Sequence, residues 1–430
     1  MDATMVKTLR QHPDHAAGSS SNGRPTTVPL PPRFQRLCND WPRRTDMTET
    51  VVVLGAGYAG AGAIKSLEDA LDDEADIIWL SDHDHHLVLH EAHRCIRDPS
   101  VRQNITIPVE EIKSPHTRFI EGEVTDLDCD DREIALADGS TVDYDYALVT
   151  LGSQTAYYGI DGLEAHSFTL KSLDDALEIH DEVKEAARDA TPDDPAQVVV
   201  GGAGLSGIQT AGEIAEFRDL HHAPIEITLV EALEEIFPGN DPELQGALRK
   251  RLLERDIEIS TADPITEADE DVIHFESDAT LEHDVFVWAG GVTGQDAMGG
   301  TELDNEHNRV NAAATFETSD DRVFALGDSA IVDQPEGPCP PTAQAAWQAA
   351  EVAGENVARA LHGQPLTSWT HEDKGTLVSV GEKAVAHNVV NVPINTFGGP
   401  AAKFLKKAVA ARWIRDIAGS SRAARAWPDM

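Results

Sequence analysis

Cysteine is sparse in this sequence: Cys38, Cys95, Cys129 and Cys339 lie far apart, with no CxxC and no paired spacing. That argues against a disulfide framework and against a metal site of zinc type, and it suits a reducing cytoplasm. The 430 residues suffice for two or three domains whose cores need no covalent staples. Long apolar runs are missing as well. No stretch of 18 apolar residues occurs, which excludes a membrane-spanning helix. Positive charge is the third shortage. Lys and Arg number 34, only 11 of them Lys, against 76 Asp and Glu, for a net charge of −42. Such a surface repels phosphate backbones, so nucleic acid is not an expected partner. Self-repulsion of this size weakens the compact state at low ionic strength and is relieved as the Debye length shrinks to about 3 Å near 1 M salt. A halophilic protein, adapted to a salt-rich cytoplasm, is the reading this favours.

The ends differ from the middle. Residues 1–46 carry a net +3 and residues 401–430 a net +5, which leaves −50 between them. Residues 1–46 are rich in Pro, Ser, Gly and Arg and lack apolar periodicity, so they read as a disordered extension, with Met47 as an alternative start. Arg43-Arg44 ahead of the apolar run from Val51 has the look of a twin-arginine export signal. A strand entering a glycine turn explains that run better.

What the sequence does have is one grammar used twice: strand, glycine turn, helix, strand. Val51-Val52-Val53-Leu54 reads as a buried parallel strand. It leads into Gly55-Ala56-Gly57-Tyr58-Ala59-Gly60, a helix to Leu71, and a second strand at Ile77–Leu80. Further on, Val198–Val200 leads into Gly202-Ala203-Gly204-Leu205-Ser206-Gly207, a helix to about Phe217, and a strand at Ile225–Val230 that ends on Glu231. In this motif the first Gly permits the tight turn, the second admits a pyrophosphate to the backbone, and the third lets helix and strand pack closely. The helix N-terminus offers free N–H groups to the phosphates. One GxGxxG is weak evidence; two, each followed by a strand, point to two dinucleotide sites. Glu231 can accept from a ribose 2′-OH and repels a 2′-phosphate, so the second site favours NADH over NADPH. In the first unit the strand ends on Ser81 with Asp82 next; either suits a ribose, and Asp82 is preferred. Between the units, Phe119 to Val149 reads as strands joined by turns, with Ala137-Asp138-Gly139-Ser140 as a hairpin turn. A further strand, Arg322–Leu326, ends in Gly327-Asp328, and a helix follows from about Thr342 to Leu361.

Two dinucleotide units plus Val323-Phe324-Ala325-Leu326-Gly327-Asp328 resemble the two-dinucleotide-binding flavoproteins of the disulfide-reductase-like fold. Pro340-Pro341-Thr342-Ala343-Gln344-Ala345-Ala346-Trp347-Gln348 and Trp288-Ala289-Gly290-Gly291 narrow the likeness to type II NADH:quinone oxidoreductases, over about Thr50 to Leu361. The resemblance implies an α/β protein with two Rossmann-like domains. The FAD domain would come in two segments, 47–160 and 293–365, with an NAD-binding domain inserted between them at 161–292 and a C-terminal region at 366–430. It implies FAD on Gly55, Gly57, Gly60, Asp82, Gly327, Asp328 and Ala343, with Asp328 on a ribitol hydroxyl. NADH would lie on Gly202, Gly204, Gly207, Glu231 and Gly290. Gln209, Gln344 and Gln348 fall where that family does its chemistry beside flavin and quinone. Gln209 is a departure: the family has Glu there, and Gln cannot take up a proton. An NADH-dependent reductase of a small redox protein, of ferredoxin or rubredoxin type, and a sulfide:quinone-type flavoprotein are the alternatives. The second is disfavoured by the absence of a CxxxxC pair, and Cys339 reads as a free buried thiol.

Two segments carry open readings. His83, His85, His86, His90 and His93 invite a metal, since His86 and His90 would share a helix face; packing or flavin contact is preferred, and no metal is expected. From Ala401 to Ile417, Phe404, Leu405, Ala408 and Val409 form one helical face opposite Lys403, Lys406 and Lys407. This is either a helix lying on an anionic membrane surface, peripheral on the inner face of the cell membrane, or one packed on the acidic body or against a second subunit in a homodimer.

Overall fold

The computed structural model describes residues 48–429; the expected disordered extension, Met47 and Cys38 lie outside them. The first sheet is five-stranded and wholly parallel. Thr50–Leu54 is its centre, paired with Asp76–Ser81 on one side and Tyr146–Val149 on the other; Arg118–Glu121 and Val323–Ala325 form the edges. Val51 to Leu54 are fully buried, which is why the run reads as unbroken Val and Leu rather than alternating. Each such side chain contributes about 1.5–3 kcal/mol on burial. Helix α1 (Tyr58–Leu71) follows the first glycine turn and buries Ala61, Ile64, Leu67 and Leu71.

The second sheet has the order Ile257–Thr261, Ile225–Glu231, Ala196–Gly201, Val285–Trp288, again all parallel. Helix α2 (Leu205–His221) follows its glycine turn and runs about one turn past the expected end at Phe217. The chain then returns to the edge of the first sheet with Val323–Ala325. The first sheet is thus assembled from two stretches with the second inserted between them. Helix α3 (Ala343–Leu361) starts on Thr342, whose hydroxyl accepts from Ala345 N. It packs against α1 through small residues: a Cβ on Gly62 would stand 2.6 Å from that of Ala350.

The C-terminal region, described to residue 429, folds onto the rest of the chain. Thr376–Val380, Lys383–His387 and Thr396–Gly398 form an antiparallel sheet. Val378 and Val380 join the main core, and Val380-Gly381 lies on α2 so closely that a Cβ on Gly212 would meet Gly381 N at 2.6 Å. Helix α4 (Pro400–Ala426), kinked at Gly419, follows, with the 3-10 turn Trp427–Asp429 after it. Its inward face is Ala402, Lys406, Ala410, Trp413, Ile414 and Ile417. One of the two expected arrangements had the basic side of this helix against the acidic body, and Lys406 is indeed buried beside Glu91, while Phe404 is 62% exposed. The histidine segment is not one helix: His86 sits on the short strand His85–Leu87, and His90 in the 3-10 turn Leu89–Glu91.

Candidate active site

The two glycine turns form matching cradles. Gly55 has φ +104°, and a Cβ there would lie 2.5 Å from Thr150 O; one on Gly60 would lie 1.9 Å from Gly55 O. Glycine is therefore required for the turn and for the close helix–strand approach. Over Gly57 and Gly204 there is open space. Both are helix N-caps with no side-chain cap, so the first-turn N–H groups of α1 and α2 point into that space without a partner from a capping side chain. An anion of pyrophosphate size fits each cradle on this geometry. At the second cradle Glu231 accepts from Ala203 N (2.8 Å) and Leu233 N (3.0 Å). At the first, Ser81 is buried and Asp82 exposed, the Ser81 hydroxyl donating to Asp82 Oδ1 at 3.2 Å.

Gly327-Asp328 turns back at the edge of the first sheet. Asp328 Oδ2 accepts from Ser153 Oγ (3.3 Å), which also accepts from Lys171 Nζ (3.3 Å). Arg309 donates to Asp328 O and Ala330 O at 2.9 and 2.7 Å. Burial raises the Asp328 carboxyl, and Lys171 and Arg309 oppose the rise. Sequence reading found Asp328 but missed Ser153, Lys171 and Arg309, which carry no local motif. Burial pushes the Cys339 thiol up to about 11, Cys95 up to about 12 and Cys129 up to about 11, so none is a ready thiolate near neutral pH.

The three glutamines differ in surroundings. Gln344 donates to Gly375 O (3.1 Å) and accepts from Lys374 N (2.8 Å); Gln348 donates to Glu372 O (2.9 Å) and accepts from Glu372 N (3.2 Å). They clamp residues 372–375 onto the start of α3. Gln209 is buried and donates to Ser379 Oγ at 3.2 Å. That hydroxyl also meets Lys406 Nζ (3.0 Å) and His93 Nε2 (3.0 Å), and Lys406 pairs with Glu91 at 3.0 Å. Burial would raise the Glu91 carboxyl, but Lys406, His90 and Arg94 outweigh it and hold it well below the usual range. Glu213, one turn after Gln209, is raised by burial despite Arg97 at 3.4 Å.

Helix α4 reaches the first cradle directly. Trp413 stacks on Tyr58 with ring centroids 4.7 Å apart, and its Nε1–H donates to His86 Nε2 (2.8 Å), while His86 Nδ1–H donates to Ala56 O (2.7 Å). Tyr58 also hydrogen-bonds His90. The histidines thus brace the glycine turn; among the described residues no His, Cys, Asp and Glu group suited to a metal ion occurs.

Beside the second cradle lies a cleft of about 370 Å³, whose lining includes Gly202, Gly204, Glu231, Trp288, Gly290 and Tyr158. A profile of the pyridine nucleotide-disulphide oxidoreductase family matches residues 49–350. A type II NADH:quinone oxidoreductase of Staphylococcus aureus is 28% identical over 389 residues, 86% of this chain and 96% of that one. The NDH2 structure from Plasmodium falciparum in complex with NADH superposes with a TM-score of 0.75 at 15% identity, covering 89% of this chain and 98% of that one. The sulfide:quinone oxidoreductase of Aquifex aeolicus gives 0.72 at 16% identity, covering 87% and 92%.

Proposed function

The chain belongs to the pyridine nucleotide-disulphide oxidoreductase family, and from that premise we propose that it is an FAD-dependent NADH dehydrogenase that passes two electrons to a quinone. The carrying observation is the pair of open, uncapped cradles over Gly57 and Gly204 in one chain. The name borne by the Staphylococcus aureus relative supports quinone as acceptor. The overall reaction is NADH + H⁺ + quinone giving NAD⁺ + quinol. FAD, when bound, supplies the hydride acceptor and the two-electron store.

The chain supplies position and charge. The N-termini of α1 and α2 hold the two pyrophosphates, with Gly55, Gly57 and Gly60 at one and Gly202, Gly204 and Gly207 at the other. Asp328 holds a ribitol hydroxyl, Asp82 or Ser81 the FAD ribose, and Glu231 the NADH ribose; Gly290 lets the coenzyme approach. Ala343, first residue of α3, would lie at the flavin, and Gln344 and Gln348, which hold residues 372–375, would shape the acceptor side. Gln209 orients hydrogen bonds but carries no proton. The raised thiols weigh against a cysteine relay.

We place the protein as a peripheral enzyme on the inner face of the cell membrane, working in high salt. Support comes from the outward Phe404 and Val409 of α4, the exposed Val390, Val392 and Ile394 before it, and the net charge of −42. Among the described residues no helix is long and apolar enough to cross a membrane. The test is NADH oxidation by flavin-loaded protein in molar salt, with a short-chain quinone, a ferredoxin or rubredoxin, and oxygen compared side by side. Quinone should be fastest; faster turnover with the redox protein overturns the assignment.

A further inference from the structure

The cleft beside the second cradle carries an unusual charge pattern. Among the described residues lining it are two carboxylates, Glu231 and Asp263, and no Lys, Arg or His. The two acids lie at the ends of neighbouring parallel strands. Glu231 is in register with Thr261, and Asp263 lies two residues beyond it, past the strand end. Neither is free to swing away. Glu231 is tied by Ala203 N and Leu233 N, and Asp263 accepts from Ser277 N (3.1 Å) and Ser277 Oγ (2.6 Å). Each carboxylate oxygen keeps a lone pair after one such bond.

Attraction has to come from elsewhere. The uncapped α2 N-terminus faces the open space over Gly204, and the lining includes the apolar and aromatic Trp288, Leu233, Ile265, Pro238 and Tyr158. Tyr158 and Leu233 are 70% and 57% exposed, surfaces large enough to be covered by a planar ligand. Gly291 makes room for Tyr158, since a Cβ there would meet the Tyr158 hydroxyl oxygen at 1.8 Å.

We propose that Asp263 acts with Glu231 as a two-carboxylate filter that rejects a 2′-phosphate, and that coenzyme affinity at this cleft rises with salt because the cleft offers the ligand no cation. The proposal rests on reading the cleft as the NADH site. A coenzyme brings two negative phosphates toward two fixed negative groups. Salt screens that repulsion and leaves the apolar contacts intact or strengthened. A third, dianionic phosphate near both acids is repelled most. Phosphate sites usually behave in the opposite sense, weakening as salt rises, because cations hold the ligand.

The experiment uses the full, flavin-loaded chain with ADP-ribose and 2′-phospho-ADP-ribose, which bind without reducing flavin. Dissociation constants are measured by calorimetry at 0.2 and 2 M KCl, with the flavin spectrum and a thermal melt confirming the fold at each salt. ADP-ribose should bind roughly three- to tenfold tighter at 2 M, and the 2′-phosphorylated probe at least about tenfold weaker than ADP-ribose at 0.2 M, with the gap narrowing at 2 M. Salt also favours apolar contact, so the deciding variant is Asp263→Asn, which keeps the shape and removes the charge. It should flatten the salt response and bring the two probes closer by about tenfold or more, with ADP-ribose bound at least as well as before. Asp131→Asn, on an exposed turn elsewhere, should change neither. An ADP-ribose affinity that falls with salt, or an Asp263→Asn variant with the parent's probe ratio and salt response, overturns the filter. Folded, flavin-loaded protein that ignores ADP-ribose at both salts overturns the coenzyme reading of the cleft itself.

Discussion

His86 is kept neutral by its surroundings, and this can be measured. It is fully buried between Ala56 O and Trp413 Nε1, and burial lowers its pKa from 6.5 to about 4. Above pH 6.5 the ring is neutral in both folded and unfolded chains and contributes no pH dependence. Between 6.5 and 4 the unfolded chain takes up a proton that the folded one refuses, so stability falls as pH falls, by about 1.4 kcal/mol per pH unit. From pH 7 to 5 the parent should lose about 2 kcal/mol more than His86→Asn in urea unfolding; equal losses would show that His86 is not the group responsible. The reason this residue was hard to assign from sequence is general to the site. Gly55, Gly57 and Gly60 were legible because local sterics fix them. His86 with Trp413, Asp328 with Ser153, and Lys406 with Glu91 are pairs drawn from distant parts of the chain, and no spacing rule joins them.

Helix α4 shows the same limit at the level of an element. Its apolar residues do not mark its buried side, because the inward face mixes Ala402 and Ala410 with Lys406 and Trp413. Lys406 turns inward because Glu91 and Ser379 await it. By contrast the parallel strands and α1 to α3 were legible, since uniform Val, Ile and Ala runs admit one buried arrangement. The two faces of α4 should separate by mutation. Trp413→Ala, on the inner face, should cost about 3–5 kcal/mol of stability and loosen FAD with it. Phe404→Glu with Val409→Glu, on the outer face, should leave stability within about 0.5 kcal/mol. The outer pair should reduce co-sedimentation with anionic vesicles in molar salt; undiminished pelleting would move the membrane contact off this helix. Ending the chain at Pro400 is a poor substitute, because it removes Trp413, Ile414 and Ile417 from the core.

Over the whole molecule, a charge of −42 sits on a chain whose ion pairs include many at the surface, such as Arg188–Glu185, Arg249–Glu235 and Arg251–Glu254. Pairs of this kind contribute about 0–1 kcal/mol each and cannot offset repulsion summed over the surface. The thermal midpoint should therefore rise between 0.1 and 2 M KCl, and rise more with KCl than with sucrose matched for osmolality, since only the salt screens charge. A flat response would mean that the acids are spaced widely enough to be harmless. Trp413 has one more consequence, and it lies in time rather than space. It completes the surround of the first cradle, yet it follows His86 by 327 residues. At ordinary synthesis rates the ribosome needs roughly 15–65 s to make that stretch. For all of that interval the nascent chain carries the glycine turn with Tyr58 and His86 unpartnered by Trp413.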